Sequence, residues 1–466
     1  MSYNLQAIGE MIRLKLLQLL PLRGGSYGFR LSSSQILVGG FAAFIFFGAV
    51  LLSLPMASQS GAGVPFIDAL FTATSAVCVT GLAVVDTGTT YSLFGQIVLI
   101  LLIQIGGLGI MTVATLFAIL SGKRIRLRER MLIQEATNQL DLAGVVRLAV
   151  YIIKTTLLVE CIGGTILAIR FYQDFGLQGI YFGYWHAVSS FCNAGFDLMG
   201  NFTSLTNYVD DWTINLTVAM LIIIGGIGFP VIADLWRYRQ QRRLTLHTKV
   251  VLLTTLILIF LGSFLIFVSE FSNGETLGPL TLSGKIQASF FQSVSTRTAG
   301  YNTIDIGSMR EGTLLIMILL MFIGASPSSM GGGIKTTTFA VLVASLFGEI
   351  TGRGEAQLFQ RVVPKNMVYK AFMAVMLALL LVLTVTIAMS FTEEFPIFKL
   401  LFDVVSGFGT VGLTMGITPL LTPVGKGWLI LTMFAGRVGT LTLLMALAVR
   451  HKKCSLKYPE GRLLIG

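Results

Sequence analysis

The stretch Ser75-Ala76-Val77-Cys78-Val79-Thr80-Gly81-Leu82 sets the pattern of the chain, because three other segments align on its glycine. The four aligned glycines are Gly81, Gly195, Gly300 and Gly412, and a large residue follows each: Leu82, Phe196, Tyr301 and Leu413. Ten positions before each stands an aromatic residue, Phe71, Trp185, Phe290 or Phe402. Each segment is an apolar run too short to span a bilayer, and it lies between two longer apolar runs. The repeating unit is therefore a membrane helix, a half-length helix, a glycine loop and another membrane helix. It recurs four times, at intervals of about 110 residues. Four such hairpins can surround one axis, and their loops then form a ring of backbone carbonyls that replaces the water around an ion.

Composition supports that reading. Hydrophobic residues make up 54% of the 466 and charged residues only 12%, so a soluble fold would lack polar cover. Repeated apolar runs of this length read as transmembrane helices. The fold class expected is an all-α polytopic membrane protein, with four repeated helix–pore-loop–helix units around one pseudo-fourfold pore.

The net charge of +11 does not describe a nucleic-acid surface. Lys123, Arg124, Arg126, Arg128 and Arg130 form one basic cluster, and Arg237, Arg239, Arg242 and Arg243 a second. Arg450, Lys452 and Lys453 form a third, and each cluster follows the end of a long apolar run. Between Arg170 and Arg237 there is no Lys or Arg. This positive-inside pattern places both termini and the linkers between units in the cytoplasm, in a multi-pass protein of the cell membrane. The first residues do not read as a signal peptide; residues 11–20 read as an amphipathic interfacial helix.

The expected organisation is a cytoplasmic N-terminus over 1–35, pore units over 36–121, 145–238, 247–349 and 367–450, and a cytoplasmic tail over 451–466. Within the units, outer helices fall at 36–56, 145–170, 247–270 and 367–391. Half-length helices fall at 66–77, 180–191, 283–295 and 397–407. The loops fall at 78–83, 192–197, 296–302 and 408–414, and the inner helices at 92–121, 213–238, 312–349 and 424–450. The linkers at 122–144, 237–248 and 350–366 are too short for a soluble domain, so a nucleotide-binding regulatory domain would have to belong to another chain.

The inner helices repeat as well, through Gly106-Gly107-Leu108-Gly109, Gly225-Gly226-Ile227-Gly228, Gly324-Ala325-Ser326-Pro327 and Gly436-Arg437-Val438-Gly439. Their small residues either allow close helix packing or keep the pore wall free of side chains. Two departures from fourfold repetition stand out. Arg437 shares a column with Gly107, Gly226 and Ala325, about 20 Å along an apolar helix at 1.5 Å per residue. An intramembrane Arg costs at least about 2.5–3.5 kcal/mol, so it either faces an aqueous cavity as a charge barrier or caps the carbonyls of a broken helix. The second departure is residues 324–338, where Gly324, Ser326, Pro327, Ser328, Gly331, Gly332, Gly333 and Lys335 interrupt the third inner helix. Irregular backbone at membrane depth requires cover by protein or water. The segment is either a movable plug beneath the ring or a static kink.

Several look-alikes carry no chemistry. Gly331 to Thr336 suggests a phosphate loop, but Ile334 stands where glycine must precede the lysine. His186, His247 and His451 are scattered, and Cys78, Cys161, Cys192 and Cys454 give neither a disulfide framework nor a metal spacing. Glu160 reads as buried and paired with an unidentified partner.

Taken together, Val79-Thr80-Gly81-Leu82, Asn193-Ala194-Gly195-Phe196, Thr298-Ala299-Gly300-Tyr301 and Thr410-Val411-Gly412-Leu413, with the break in the third inner helix and the lone Arg437, resemble the Trk/Ktr/HKT superfamily of cation transporters. The resemblance covers residues 36–450 and is greatest to the Ktr-type membrane subunit, since only one amphipathic segment precedes the first unit. It implies a potassium uptake channel rather than an enzyme. It also implies potassium held by backbone carbonyls of Val79, Thr80, Gly81, Asn193, Ala194, Gly195, Thr298, Ala299, Gly300, Thr410, Val411 and Gly412. The loop 324–338 would be the gate and Arg437 the electrostatic barrier. Further implications are a homodimer, a cytosolic ring of nucleotide-binding RCK subunits and no bound organic cofactor, with sodium as a candidate activator. Plant relatives with Ser at the first glycine favour sodium, and Gly81 favours potassium. The alternatives are a sodium- or proton-coupled symporter, for which Asp197 is the one carboxylate near a loop, and a membrane enzyme, which would need clustered acids or histidines.

Overall fold

Each repeat folds as its apolar runs require. In the first, α1 (Ser33–Ser53) leads to the half-length α2 (Phe66–Cys78) and the inner helix α3 (Leu93–Leu108). The second has α4 (Val145–Phe175), α5 (Leu177–Phe191) and the inner pair α6 (Trp212–Ile227) and α7 (Phe229–Gln241). The third has α8 (Leu246–Glu270), α9 (Leu282–Ser295), α10 (Glu311–Phe322) and α11 (Thr336–Ile350). The fourth, after the strands β1 (Gln357–Leu358) and β2 (Arg361–Val362), has α12 (Lys365–Thr392), α13 (Ile397–Gly409), α14 (Pro423–Val438) and α15 (Thr440–Leu447). This computed structural model describes residues 33–109, 112 and 145–447. The interfacial segment at 11–20, the linker at 122–144, the tail at 451–466 and Cys454 lie outside them.

The outer helices α1, α4, α8 and α12 are long and apolar enough to cross a membrane, and the bent pair α6–α7 would make a fifth crossing. Their outward faces carry Phe46, Phe47, Phe260, Phe264, Phe372 and Phe391, all well exposed, as lipid contact requires. The half-length helices are enclosed instead. Every residue of α2 from Phe71 to Cys78 is buried, as is every residue of α13 from Phe402 to Gly409. Pro65 and Pro396 precede α2 and α13, and an inner helix starts from a capping side chain in three units. Ser92 accepts from Gly95 N at 3.4 Å, Asp211 from Ile214 N at 3.0 Å and Thr422 from Gly425 N at 3.2 Å.

The inner helices differ from the expected continuous spans. Three of the four end at a glycine in the left-handed region: Gly109 at φ 81°, Gly228 at φ 91° and Gly439 at φ 89°. The helical ladder cannot pass such a residue, and at Gly228 the chain turns by 95° between α6 and α7. The third inner helix breaks over Ile323–Lys335. A break is therefore common to all four units and not peculiar to the third. The expected linker at 350–366 also carries a small antiparallel hairpin, β1 to β2. Its turn residues Phe359 and Gln360 have φ of 48° and 62°, the hand that a two-residue hairpin turn needs.

Each unit is clasped at the end where its outer helix finishes and its inner helix begins. In the third, the buried Glu270 carboxylate accepts from Asn273 Nδ2 at 2.7 Å, Thr276 Oγ1 at 2.6 Å, Arg310 N at 3.0 Å and the Thr313 hydroxyl. In the fourth, Glu393 accepts from Thr422 N at 3.1 Å and from the Thr422 hydroxyl. In the second, Arg170 Nε donates to Asp211 at 2.6 Å, and in the first the Ser92 hydroxyl donates to Met56 O at 2.6 Å. Glu270→Ala would strand several donors at once, so the expected loss is about 3 kcal/mol of stability. Thermal unfolding in detergent should show a larger fall in midpoint for Glu270→Ala than for Glu270→Gln, which keeps one acceptor. Unchanged midpoints would remove the clasp from the account of stability.

Candidate functional site

The four aligned glycines meet. A Cβ on Gly81 would lie 2.5 Å from the Ala194 carbonyl oxygen, and one on Gly195 2.6 Å from that of Ala299. A Cβ on Gly300 would lie 2.7 Å from the Val411 oxygen, and one on Gly412 would collide with the Thr80 oxygen. Every clash falls on the residue just before the next unit's glycine. The loops therefore follow one another in chain order and close back on the first. Side chains at these positions have no room.

Backbone hand repeats around the ring. Val79, Asn193, Thr298 and Thr410 have φ of 57°, 59°, 65° and 50°, and the glycines two residues later have φ of 90°, 69°, 80° and 96°. The residue between is not left-handed in any unit. Alternation of hand turns successive carbonyls toward one side, whereas a strand points them to alternate sides. Holding Val79 and the three polar residues in the left-handed region is costly and persists only where the surroundings over-determine it. Ser75 Oγ accepts from Gly81 N at 3.0 Å, and Ser406 Oγ from Gly412 N at 3.1 Å. Ser189 Oγ donates to Phe196 O at 2.8 Å, and Tyr301 Oη to the same oxygen at 2.8 Å. His186 braces the second loop, with Nδ1 on Phe182 O at 2.7 Å and Nε2 accepting from Leu198 N at 3.3 Å.

Outside the ring lies a vestibule of about 260 Å³, bordered by all four glycines and by Asp86, Asp197 and Asp305, with no Lys or Arg in its wall. Asp197 thus sits at the mouth of the ring, its carboxylate accepting from Met199 N at 3.0 Å. Among the described residues no group of three or more His, Cys, Asp or Glu could hold a metal ion. A cation reaching the ring would meet backbone oxygen.

On the other side of the ring lies the interruption of the third inner helix. Gly332 N donates to Thr410 Oγ1 at 2.9 Å, and a Cβ on Gly331 would strike Thr298 Oγ1. The segment is thus seated directly against two residues of the ring loops. Its flank is sewn to the elbow of the second unit. Ser326 N donates to Gly226 O at 3.0 Å, Met330 N to Gly225 O at 3.1 Å and Phe229 N to Ser328 O at 3.1 Å. Within it, Ala325 N donates to Gly332 O at 3.3 Å, the Ser326 and Thr336 hydroxyls lie 2.9 Å apart, and Lys335 Nζ donates to Gly331 O at 2.8 Å. Pro327 O packs against Gly228, and Gly333 has φ 68°. A Cβ on Gly324 would collide with Gly332 O.

Arg437 joins this segment to the first unit. Its guanidinium donates to Met330 O, to Gly106 O and, at 3.3 Å, to Gly107 O. Gly106 and Gly107 are in the last turn of α3, which ends at Leu108, and the last carbonyls of a helix have no partner within it. The residue caps the end of α3 and holds the interruption with the same side chain, which is the capping reading of Arg437. Among the described residues no ion pair includes Arg437, Lys335 or Arg297.

The sequence reading missed two features. Arg297 is buried and donates to Gly324 O at 3.2 Å; the signal was a lone charge in the column shared with Cys78, Cys192 and Gly409. The bracing serines six before the glycine, Ser75, Ser189 and Ser406, recur in three of four units and went unread. Glu160 is buried and paired, as read, and its partners are now named: Gln104 Nε2 donates to it at 3.2 Å, and Cys192 Sγ lies 3.9 Å away. Gly106, Gly225 and Gly436 serve close packing, because a Cβ on each would collide with the Val77, Phe191 or Phe408 carbonyl at the end of a half-length helix.

A family model described as TrkH, cation transport protein, matches residues 32–457. The chain is similar to the Ktr system potassium uptake protein B of Bacillus subtilis (strain 168), 44% identical over 94% of this chain and 97% of that one. It is also similar to the potassium/sodium uptake protein NtpJ of Enterococcus hirae, 40% identical over 94% and 98% of the two chains. Among solved structures, the potassium transporter TrkH from Vibrio parahaemolyticus shares the fold, with a TM-score of 0.69 at 17% identity, covering 92% of this chain and 87% of that one. Fourfold repetition, a closed ring of glycine loops and a family match across nearly the whole sequence make the chain a member of the TrkH cation transport protein family.

Proposed function

We propose that the protein takes potassium into the cell through the ring, as a gated channel subunit. The observation that carries this reading is the closed ring itself, with four left-handed glycines in mutual contact and alternating backbone hand. Carbonyl oxygens of Val79, Thr80 and Gly81 and their counterparts in the other loops replace the hydration shell of the ion. The three vestibule aspartates raise the local cation concentration outside the ring. The potassium and potassium/sodium uptake proteins to which the chain is similar support the choice of ion. Sodium is a candidate activator, no organic cofactor is required, and both termini lie in the cytoplasm. The membrane subunit works as a homodimer, and a cytosolic nucleotide-binding RCK ring governs it. The deciding experiment is potassium uptake in cells stripped of their own uptake systems, with sodium and pH varied independently. Uptake that follows a sodium or proton gradient in fixed ratio would make the protein a coupled symporter.

Selectivity rests on the glycine contacts. Gly412→Ser places a side chain against Thr80 O in a left-handed position, and the preference for potassium over sodium should fall on the order of tenfold, about 1.4 kcal/mol. Gly274→Ser, at an outer loop position with open space around it and no left-handed backbone, should leave the preference unchanged. Equal loss in both variants at matched expression would take the ring out of the mechanism.

The segment 324–338 closes the path from below. Gly331→Ala would set a methyl against Thr298 Oγ1, and Gly332→Ala one 2.6 Å from Thr410 Oγ1. Neither fits while the segment is seated. Both variants should raise basal uptake and blunt its regulation, and a fall in basal uptake would mean that the segment is a static support.

Arg437 sets the barrier. A fixed positive charge in a narrow passage repels a cation by a few kcal/mol at an effective dielectric near 20. Arg437→Ala should raise maximal uptake on the order of tenfold, the factor that about 1.4 kcal/mol off a barrier gives, with little change in half-saturation. Arg437→Lys keeps the charge but lacks the planar fork that spans α3 and Met330, so its maximal rate should lie between parent and Ala. Initial rates against external potassium, for all three proteins at equal membrane content, measure this. An unchanged rate for Arg437→Ala in folded protein leaves only the capping role.

A further inference from the structure

The fourth loop leaves the ring through residues 413–418, and one side chain holds that exit. Asp403, in the middle of α13, is 0% exposed. Its Oδ2 accepts from Thr418 Oγ1 at 2.6 Å and from Thr414 Oγ1 at 3.0 Å, and its Oδ1 accepts from Met415 N at 3.4 Å. Among the described residues, the hydrogen bonds from 413–418 to another element all end on this carboxylate. Ser406 stands three residues further along the same face of α13 and accepts from Gly412 N at 3.1 Å. One helix face therefore grips the loop twice, at the ring glycine and at the exit.

The grip recurs on the opposite side of the ring. Asp403 lies nine residues before Gly412, and His186 nine before Gly195. Met415 lies three residues after Gly412, and Leu198 three after Gly195. His186 Nε2 accepts from Leu198 N at 3.3 Å, so the same two columns are joined in both units by different side chains. Because the loops follow one another in chain order, the second and fourth face each other across the ring. The column holds Thr72 in the first unit and Phe291 in the third. Their exits are tied instead to the outer loop of the second unit, where Phe202 N donates to Asp86 Oδ2 at 2.7 Å and Ser204 Oγ accepts from Asn302 N at 3.2 Å.

We propose that Asp403 is a positioning residue for ion preference, acting through Thr414, Met415 and Thr418 on the fourth quarter of the ring; this rests on the reading of the ring as the ion path. Gly412 has no clearance. A Cβ there would stand 3.0 Å from the Gly81 Cα and 3.1 Å from the Gly300 Cα, so a displaced fourth loop displaces the first and third. Leu413, Thr414, Gly416 and Pro419 also form one wall of the vestibule, so the exit shapes the approach as well as the ring. Binding groups work only when the residues behind them hold them to within about 0.5 Å. Asp403 does not line the vestibule itself, and it acts through the loop.

The test measures potassium-over-sodium preference, half-saturation and maximal rate of uptake at matched membrane content, with thermal midpoint in detergent. Asp403→Leu replaces the carboxylate oxygens with methyl groups, and the preference should fall on the order of tenfold, with half-saturation rising by a similar factor. Asp403→Asn keeps an oxygen for Met415 N, and the threonine hydroxyls can turn to accept from its amide, so its preference should stay within about threefold of the parent's. Thr414→Val combined with Thr418→Val removes both hydroxyl donors and should fall between the two; it carries the test if Asp403→Leu does not fold. Glu270→Gln weakens the clasp of the third unit away from the ring and should leave the preference unchanged. Parent preference in folded Asp403→Leu or in the double valine variant overturns the proposal. So does an Asp403→Asn that loses as much as Asp403→Leu, since charge rather than position would then be at work. An equal loss in Glu270→Gln also overturns it, because preference would then follow stability alone. Gly412→Ser is the reference: if it too keeps the parent preference, the ring is not the ion path, and if it loses preference while Asp403→Leu does not, only the role of Asp403 falls.

Discussion

Four glycine Cα atoms share a space that admits no fifth carbon. The approach of Gly81, Gly195, Gly300 and Gly412 to the carbonyls of neighbouring loops fixes how near the axis the four units come. Much else follows from that distance. The half-length helices must end where the loops begin, so they are short and enclosed. Their terminal carbonyls are approached by the inner helices at Gly106, Gly225 and Gly436, where again only glycine fits. The outer helices, freed from the axis, carry the lipid-facing surface.

The bracing of the loops shows how unfavourable backbone is maintained. Left-handed Val79, Asn193, Thr298 and Thr410 would relax if the loops were loose. Serine hydroxyls, the Tyr301 phenol and His186 instead bind the loops to the helices that feed them. What meets at the ring is main chain, glycine against carbonyl, rather than a cluster of acidic or imidazole side chains. Such a site leaves little trace in composition and a clear one in spacing.

That contrast explains what could be read from the sequence. The register of the ring was legible, since glycine in a column with a large follower and a distant aromatic is a positional signal. The left-handed elbows at Gly109, Gly228 and Gly439 were not, because a glycine in an apolar helix reads equally as close packing, and neighbouring glycines in the same motif do serve packing. The third inner helix was read as broken because Pro327 and three consecutive glycines leave no helical alternative. Arg437 was conspicuous as a charge, but its bonds to Met330 and α3 depend on contacts more than 100 residues apart, which no local pattern encodes.

Gly107, Gly226, Ala325 and Arg437 occupy one column, and only a single chain of tandem units can hold such a set. An assembly of four identical copies would place any side chain at that depth four times over or not at all. Four guanidinium groups about one axis would repel each other, while none would leave the contacts of Arg437 unmade. Fusion of the repeats lets each drift from its siblings, so a side chain of the fourth unit can hold carbonyls of the third and the first at once. The donor and its acceptors can then be altered by separate point changes in separate repeats, a degree of freedom that strict rotational symmetry forbids.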